Sequence, residues 1–251
     1  MKRAFAIAAL SVLLATAAHA DPALPRVLAV PTAWLPPAGA VVTTAGIDRH
    51  GAAMADLDVG LGGLASIEVG LDSDTRGCAH CTEATSLSLG RAAFRIGARQ
   101  NELFRGAPAL VLGLRTTFSA RGHEFGEARV SEASVVASSV YGPVRLHVGG
   151  QLTEAAFGDR TVHMEPRASA LAGLEWTPPI YPRTTVLADM AWAPQISPTE
   201  IDLKWLAGWG VRYQAFAWGS VELAVRHRQD EGLGQSDVMI RMNGVFTKNS
   251  R

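Results

Sequence analysis

The side chains able to do chemistry are few: two cysteines, seven histidines and a set of charged residues set two apart along the chain. Both cysteines fall in one cluster, Cys78-Ala79-His80-Cys81. That spacing permits a disulfide inside one loop, and cysteines of exported chains commonly join, so a Cys78–Cys81 bond is expected. So short a ring constrains little chain entropy and should shape only the loop. Covalent haem attachment needs His directly after the second Cys, and Thr82 stands there. A metal site would need ligands besides His80, and none lies nearby in sequence. A thioredoxin-like use needs a βαβ setting that the pattern lacks. The expectation is no metal and no cofactor.

A second candidate set is hydrolytic. Ser119, His123, Glu124, Asp159 and His163 fall in segments that connect apolar runs, where Ser/His or Asp/His sets could act on lipid or peptide. No G-x-S-x-G is present and the histidines carry no diagnostic spacing. The expectation is a protein without catalysis, with a lipid- or peptide-hydrolysing enzyme as the alternative.

The third set is electrostatic. Asp56, Asp58 and Glu68, then Arg115, Arg145, His147 and Arg167, then Glu222, Arg226 and Arg241, all sit opposite an apolar stripe. Glu175, Asp189, Asp202, Lys204, Arg212 and Asp237 share that placement. Both signs occur, so such a face can neutralise itself by pairing. Asp56, Asp58 and Glu68 are expected to lie across from or beside Arg115, Arg145 and Arg167.

The elements that position these charges read as strands. In Thr184–Trp192, Asp202–Tyr213, Val221–His227 and Asp237–Phe246, apolar and polar side chains alternate, the mark of a strand with one apolar and one wet face. Further candidates run near 40–47, 53–61, 64–72, from 83, 109–118, 127–141, 144–152 and 166–176. In the fourth, Leu87 and Leu89 fall on one parity and Phe94 and Ile96 on the other, which predicts a bulge near Arg91–Ala93. Gly62-Gly63, Tyr141-Gly142-Pro143 and Gln214-Ala215 are short turns on one side. Segments 73–82, 119–126, 154–165 and 228–236 are longer and fall on the other, while 98–107 and 177–183 are long for the short-turn side. Tyr141, Trp176, Tyr181, Tyr213, Trp218 and Phe246 cluster towards the short-turn rim; Phe118, Trp192 and Trp205 lie towards the opposite rim.

The N-terminus supplies the compartment. Lys2 and Arg3 precede an apolar stretch to Ala18, and Ala18-His19-Ala20 is a small-x-small cleavage site. The stretch is short for a spanning helix. Residues 1–20 therefore read as a Sec-type signal peptide. Removing Lys2 and Arg3 leaves 21 basic against 23 acidic residues, a net of about −2, with no basic surplus for nucleic acid. Pro22, Pro25, Pro31, Pro36 and Pro37 keep residues 21–38 out of helix and central strand, so they read as a periplasmic lead-in.

Alternating runs, short turns on one side and longer loops on the other resemble bacterial outer-membrane β-barrels. Val30-Pro31-Thr32-Ala33, Leu35-Pro36 and Gly39 resemble the entry segment before the first strand of some large barrels of that class, and Asp237–Phe246 resembles their closing strand, with Phe246 as its aromatic end and Thr247–Arg251 beyond it. The resemblance implies an all-β fold: an antiparallel up-and-down transmembrane barrel of about twelve strands, ten to fourteen, over residues 39–247, with a tail at 248–251. It implies a cell outer-membrane location, contact with outer-membrane lipid, and delivery by the outer-membrane assembly machinery. The expected role is structural, narrow-pore or linked to export with envelope partners. A soluble periplasmic barrel or sandwich is the remaining alternative.

Overall fold

The computed structural model describes residues 24–77, 85–87, 89–119, 128–158, 162–229 and 231–247. Residues 1–20, expected to be a signal peptide, and Cys78, Cys81, His123, Glu124, Asp159 and the tail at 248–251 lie outside the described residues.

The strands in chain order are β1 Val41–Asp48, β2 Ala53–Leu61, β3 Ala65–Asp72, β4 Arg76–Gly77, β5 Thr85–Ser86, β6 Leu89–Ala98, β7 Ala109–Phe118, β8 Arg129–Tyr141, β9 Val144–Phe157, β10 Val162–Trp176, β11 Thr184–Ile196, β12 Ile201–Phe216, β13 Gly219–Arg228 and β14 Asp237–Phe246. Neighbours pair antiparallel around the ring, β1 pairs with β14 from Val41↔Phe246 to Asp48↔Met239, and β10–β11 pairing closes the circuit. Among the described residues twelve strands form the barrel, and each pairs on both sides over at least part of its length. β4 and β5 are a short extra pair.

Alternation decides the faces. Leu112, Leu223 and Ile240 are 57%, 57% and 55% exposed, and Leu146 is exposed as well. Their in-strand neighbours Val111, Glu222, Arg241 and His147 are buried. A continuous belt of exposed Leu, Ile, Val and Met is untenable in water and is the surface lipid requires. At the end where β14 finishes, Trp218 stacks between Phe216 and Phe246, with ring centroids 5.2 and 5.7 Å away. Tyr141, Trp176, Tyr181 and Tyr213 are exposed on the same rim. This end is taken as periplasmic.

Three sequence expectations are corrected by the register. First, no bulge occurs at Arg91–Ala93: β6 pairs without interruption with β3 and with β7. Leu87 and Leu89 point inward, into an apolar cap with Val130, Met164, Ile196 and Ile201 at the outer end. Phe94 and Ile96 face lipid. The bulges fall elsewhere, between Met164 and Arg167, where Pro166 cannot donate to the ladder, and between Gln214 and Phe216. Second, 154–165 is mostly strand, with β9 and β10 running on to Phe157 and from Val162. Third, the segment expected to lie in the periplasm is inside the barrel: Val27, Leu28 and Val30 are at most 3% exposed.

The wall is uneven. β10 and β11 share only the pairs from Ala172↔Met190 to Trp176↔Val186; above them β11 pairs in parallel with β4, at Gln195↔Arg76 and Ile196↔Gly77. Gln151 of β9 reaches beneath this gap and donates Nε2–H to the Trp192 carbonyl at 2.9 Å.

Candidate functional site: a charged lumen filled by the N-terminal segment

Residues 24–35 fold back on themselves within the lumen. Thr32 N–H donates to the Pro25 carbonyl at 2.9 Å, Thr32 Oγ1 donates to the Leu24 carbonyl at 2.7 Å, and Val27 N–H donates to the Val30 carbonyl at 3.0 Å. Prolines set the segment free of any ladder, so its main-chain groups must be satisfied by the wall.

The wall does so with charge. Asp189 on β11 takes the N–H groups of Leu28, Ala29 and Val30 on a single oxygen, Oδ2, at 3.0, 2.6 and 2.8 Å. Successive N–H groups aimed at one point form an anion cradle, here filled by a carboxylate. From the other side Arg241 on β14 donates Nη1–H to the Leu28 carbonyl at 2.8 Å and Nη2–H to the Val27 carbonyl at 2.6 Å. Arg95 on β6 reaches the Pro25 carbonyl at 3.3 Å. Ala33 N–H donates to Ser138 Oγ at 2.8 Å, and that hydroxyl lies 2.7 Å from His147 Nδ1. Val27 and Leu28 pack against Leu187, Ala224 and Met239, and Val30 against Val136, Leu171 and Leu206. Gly208 gives the room: a Cβ there would lie 2.5 Å from Asp189 Oδ1 and 2.9 Å from Leu28 Cδ1.

The charges form three tiers. On the periplasmic side of the plug, Arg145 Nη1 meets Glu175 Oε2 at 3.0 Å, and Glu175 Oε1 lies 3.3 Å from Arg212 Nη1. Arg212 Nε donates to Glu222 Oε1 at 2.6 Å, and Arg241 Nε donates to Glu222 Oε2 at 2.7 Å. Asn243 adds a bond to Glu222 at 2.9 Å. At mid-height Arg91 bridges Asp56, at 2.6 Å, and Glu68, while Arg95 holds Asp58. Arg115 Nε meets Glu132 Oε2 at 2.6 Å. In the outer part Arg76 pairs with Glu231 and, at 2.5 Å, with Asp237.

Asp58, Glu68, His147, Glu222, Arg226 and Arg241 are buried, and Asp56, Arg115 and Arg145 are half-buried. The partners differ from expectation. The acidic cluster Asp56, Asp58 and Glu68 pairs with Arg91 and Arg95, while Arg115 pairs with Glu132 and Arg145 with Glu175. Arg167, beside the bulge, is exposed and takes no part in these pairs. Arg91, Arg95 and Glu132 escaped sequence reading; uninterrupted parity through β6 would have found the first two.

The hydrolytic candidates that are described do not meet. Ser119 Oγ closes its own loop, 3.1 Å from the Ala128 carbonyl and 2.8 Å from Ala128 N. His163 Nε2 lies 3.7 Å from Glu165 Oε1 on its own strand. Among the described residues, no group of three or more His, Cys, Asp or Glu side chains could hold a metal ion.

Beside the plug lies a cavity of about 40 Å³, bordered by Arg26, Glu68, Asp74, Arg95, Arg115 and Glu132. That is room for a few waters.

No protein-family model and no curated protein matches the chain. Solved structures do. The KdgM porin in complex with disordered oligogalacturonate matches with TM-score 0.52 at 6% identity, over 83% of this chain and 99% of that one. A membrane protein from a study of in-meso crystallization matches with TM-score 0.52 at 11% identity, over 84% and 85%. The fold is that of a bacterial outer-membrane β-barrel. At these identities the likeness concerns the barrel alone, and neither the inserted segment nor the charge pairs follow from it.

Proposed function

We propose that the protein is an outer-membrane channel held shut by its own N-terminal segment. The observation that carries this reading is the clasp on residues 27–30: one carboxylate and one guanidinium grip main-chain atoms of a segment that belongs to no strand. A barrel needed only as a scaffold can fill its interior with wall side chains. Here the filling is a short segment ahead of β1 that belongs to no strand, so it can leave without breaking a ladder bond. Once the segment withdraws, the paired charges above and below line a polar path as far as the apolar cap of Leu87, Leu89, Val130, Met164, Ile196 and Ile201 at the outer end. The apolar belt contacts outer-membrane lipid, and the closing strand with its aromatic end is the feature through which assembly machinery would receive the chain.

The test is conductance in planar lipid bilayers of the folded protein beside a variant lacking residues 24–35. The reading expects a nearly silent parent and steady ion-conducting steps from the variant. A variant that folds, as judged by heat-dependent gel mobility, yet stays silent would remove the channel reading in favour of a structural barrel.

A further inference from the structure

Asp74, in the segment between β3 and β4, is gripped from three directions inside the outer half of the lumen. Its Oδ1 accepts from Arg226 Nη1 on β13, its Oδ2 lies 3.5 Å from Arg26 Nη1 on the plug, and its main-chain carbonyl accepts from Arg228 Nη2 at 2.6 Å. Arg226 and Arg228 are each 1% exposed. They stand two apart on the inward face of β13, so two like charges sit side by side in a space from which water is largely excluded. Asp74 does not use up their donors. Nε and Nη2 of Arg226 and Nε of Arg228 are buried without a hydrogen-bond partner. Arg228 donates to a main-chain carbonyl, and the nearby carboxylates of Asp74 and Asp237 are shared with Arg226 and Arg76. Unsatisfied donors on a buried guanidinium are costly, and the two arginines together offer more donors than Asp74 takes up.

We propose that Arg226 and Arg228 form an oxyanion site inside the outer mouth, that the Asp74 carboxylate occupies it in the shut state, and that a carboxylate-bearing solute takes its place. No empty space is required, because the solute replaces a carboxylate already there. Asp74 also touches Arg26, so its displacement frees the segment between β3 and β4 and loosens the plug in one step. Site and plug are then coupled: whatever favours one occupant shifts the other. This rests on the channel reading for its consequence, but the site itself is tested by binding alone.

The experiment is calorimetric titration of the full-length folded protein in detergent with succinate, with glucose and inorganic phosphate as separate arms. Removing the internal competitor in Asp74→Asn should tighten succinate binding about tenfold or more, the worth of one charge-assisted contact. Adding Arg228→Met, or Arg226→Gln if the first fails to fold, should abolish it. Glucose should not bind. Phosphate that competes with succinate fits a shared oxyanion site; phosphate binding without succinate overturns the carboxylate assignment. Equal succinate affinity in parent and Asp74→Asn, or binding that survives loss of the arginine, overturns the proposal. If binding behaves as expected while the variant lacking residues 24–35 stays silent in bilayers, the anion site stands and the channel reading falls.

Discussion

Replacing Asp189 by Ala is the sharpest perturbation of the plug. The carboxylate accepts three main-chain N–H bonds, at 3.0, 2.6 and 2.8 Å. A hydrogen bond to a charged group contributes roughly 1.5–3 kcal/mol net, and bonds sharing one oxygen do not add fully, so the clasp is worth on the order of 3–6 kcal/mol. Every 1.4 kcal/mol is tenfold in an equilibrium, so the seated-to-released ratio should fall by roughly 10²–10⁴. Arg241 and the apolar contacts of Val27 and Val30 remain, so the segment should sample the seat rather than abandon it. The assay is open probability in single-channel recordings, which should rise sharply, with tryptic cleavage at Arg26 in the folded protein as a second readout. Asp189→Asn keeps one acceptor oxygen and should fall between. An Asp189→Ala protein as silent and as protease-resistant at Arg26 as the parent would refute the reasoning.

The other predictions concern the wall. Leu112→Arg or Ile240→Arg puts a charge against lipid and should cost about 2–4 kcal/mol near mid-depth, read as folding stability in lipid vesicles; equal tolerance at inward Val111 and outward Leu112 would contradict the facing. Gly208→Ala should disturb the Asp189 clasp by crowding Oδ1 and Leu28, costing about 1–3 kcal/mol in detergent melting and raising conductance together; a variant that melts like the parent would mean the segment does not sit against β12. Arg212→Ala strips partners from both Glu175 and Glu222 and should destabilise by about 3–5 kcal/mol, whereas Arg145→Ala leaves Glu175 its Arg212 contact and should cost clearly less. Equal losses would show that the periplasmic tier is not organised around Arg212.

The wall was legible because lipid and lumen impose a period of two, and the chain obeys it almost residue by residue in β7, β11, β13 and β14. Asp237–Phe246 matches its strand end to end. Legibility failed where an inward position is apolar. Leu87 and Leu89 belong to the outer cap, and taking them for lipid-facing residues shifted the apparent phase of β6 and hid Arg91 and Arg95. Pairing partners were out of reach as well, since parity says which face a charge occupies but not which neighbour it meets across a curved sheet. The plug left no periodic signal at all. Its prolines exclude regular structure, and its burial follows from Asp189 and Arg241, more than 150 residues away in the chain.

The central claim, that residues 24–35 shut the lumen reversibly, is tested most directly by locking them in place. A Cβ at position 173 would lie 3.5 Å from Val30 Cγ1, so Val30→Cys and Gly173→Cys can be joined in a protein whose own cysteines are replaced by Ser. Placed in the Asp189→Ala background, the cross-link should silence the conducting channel on oxidation, and reductant should restore its open steps. A cross-linked channel that conducts as freely as the reduced one would contradict the account.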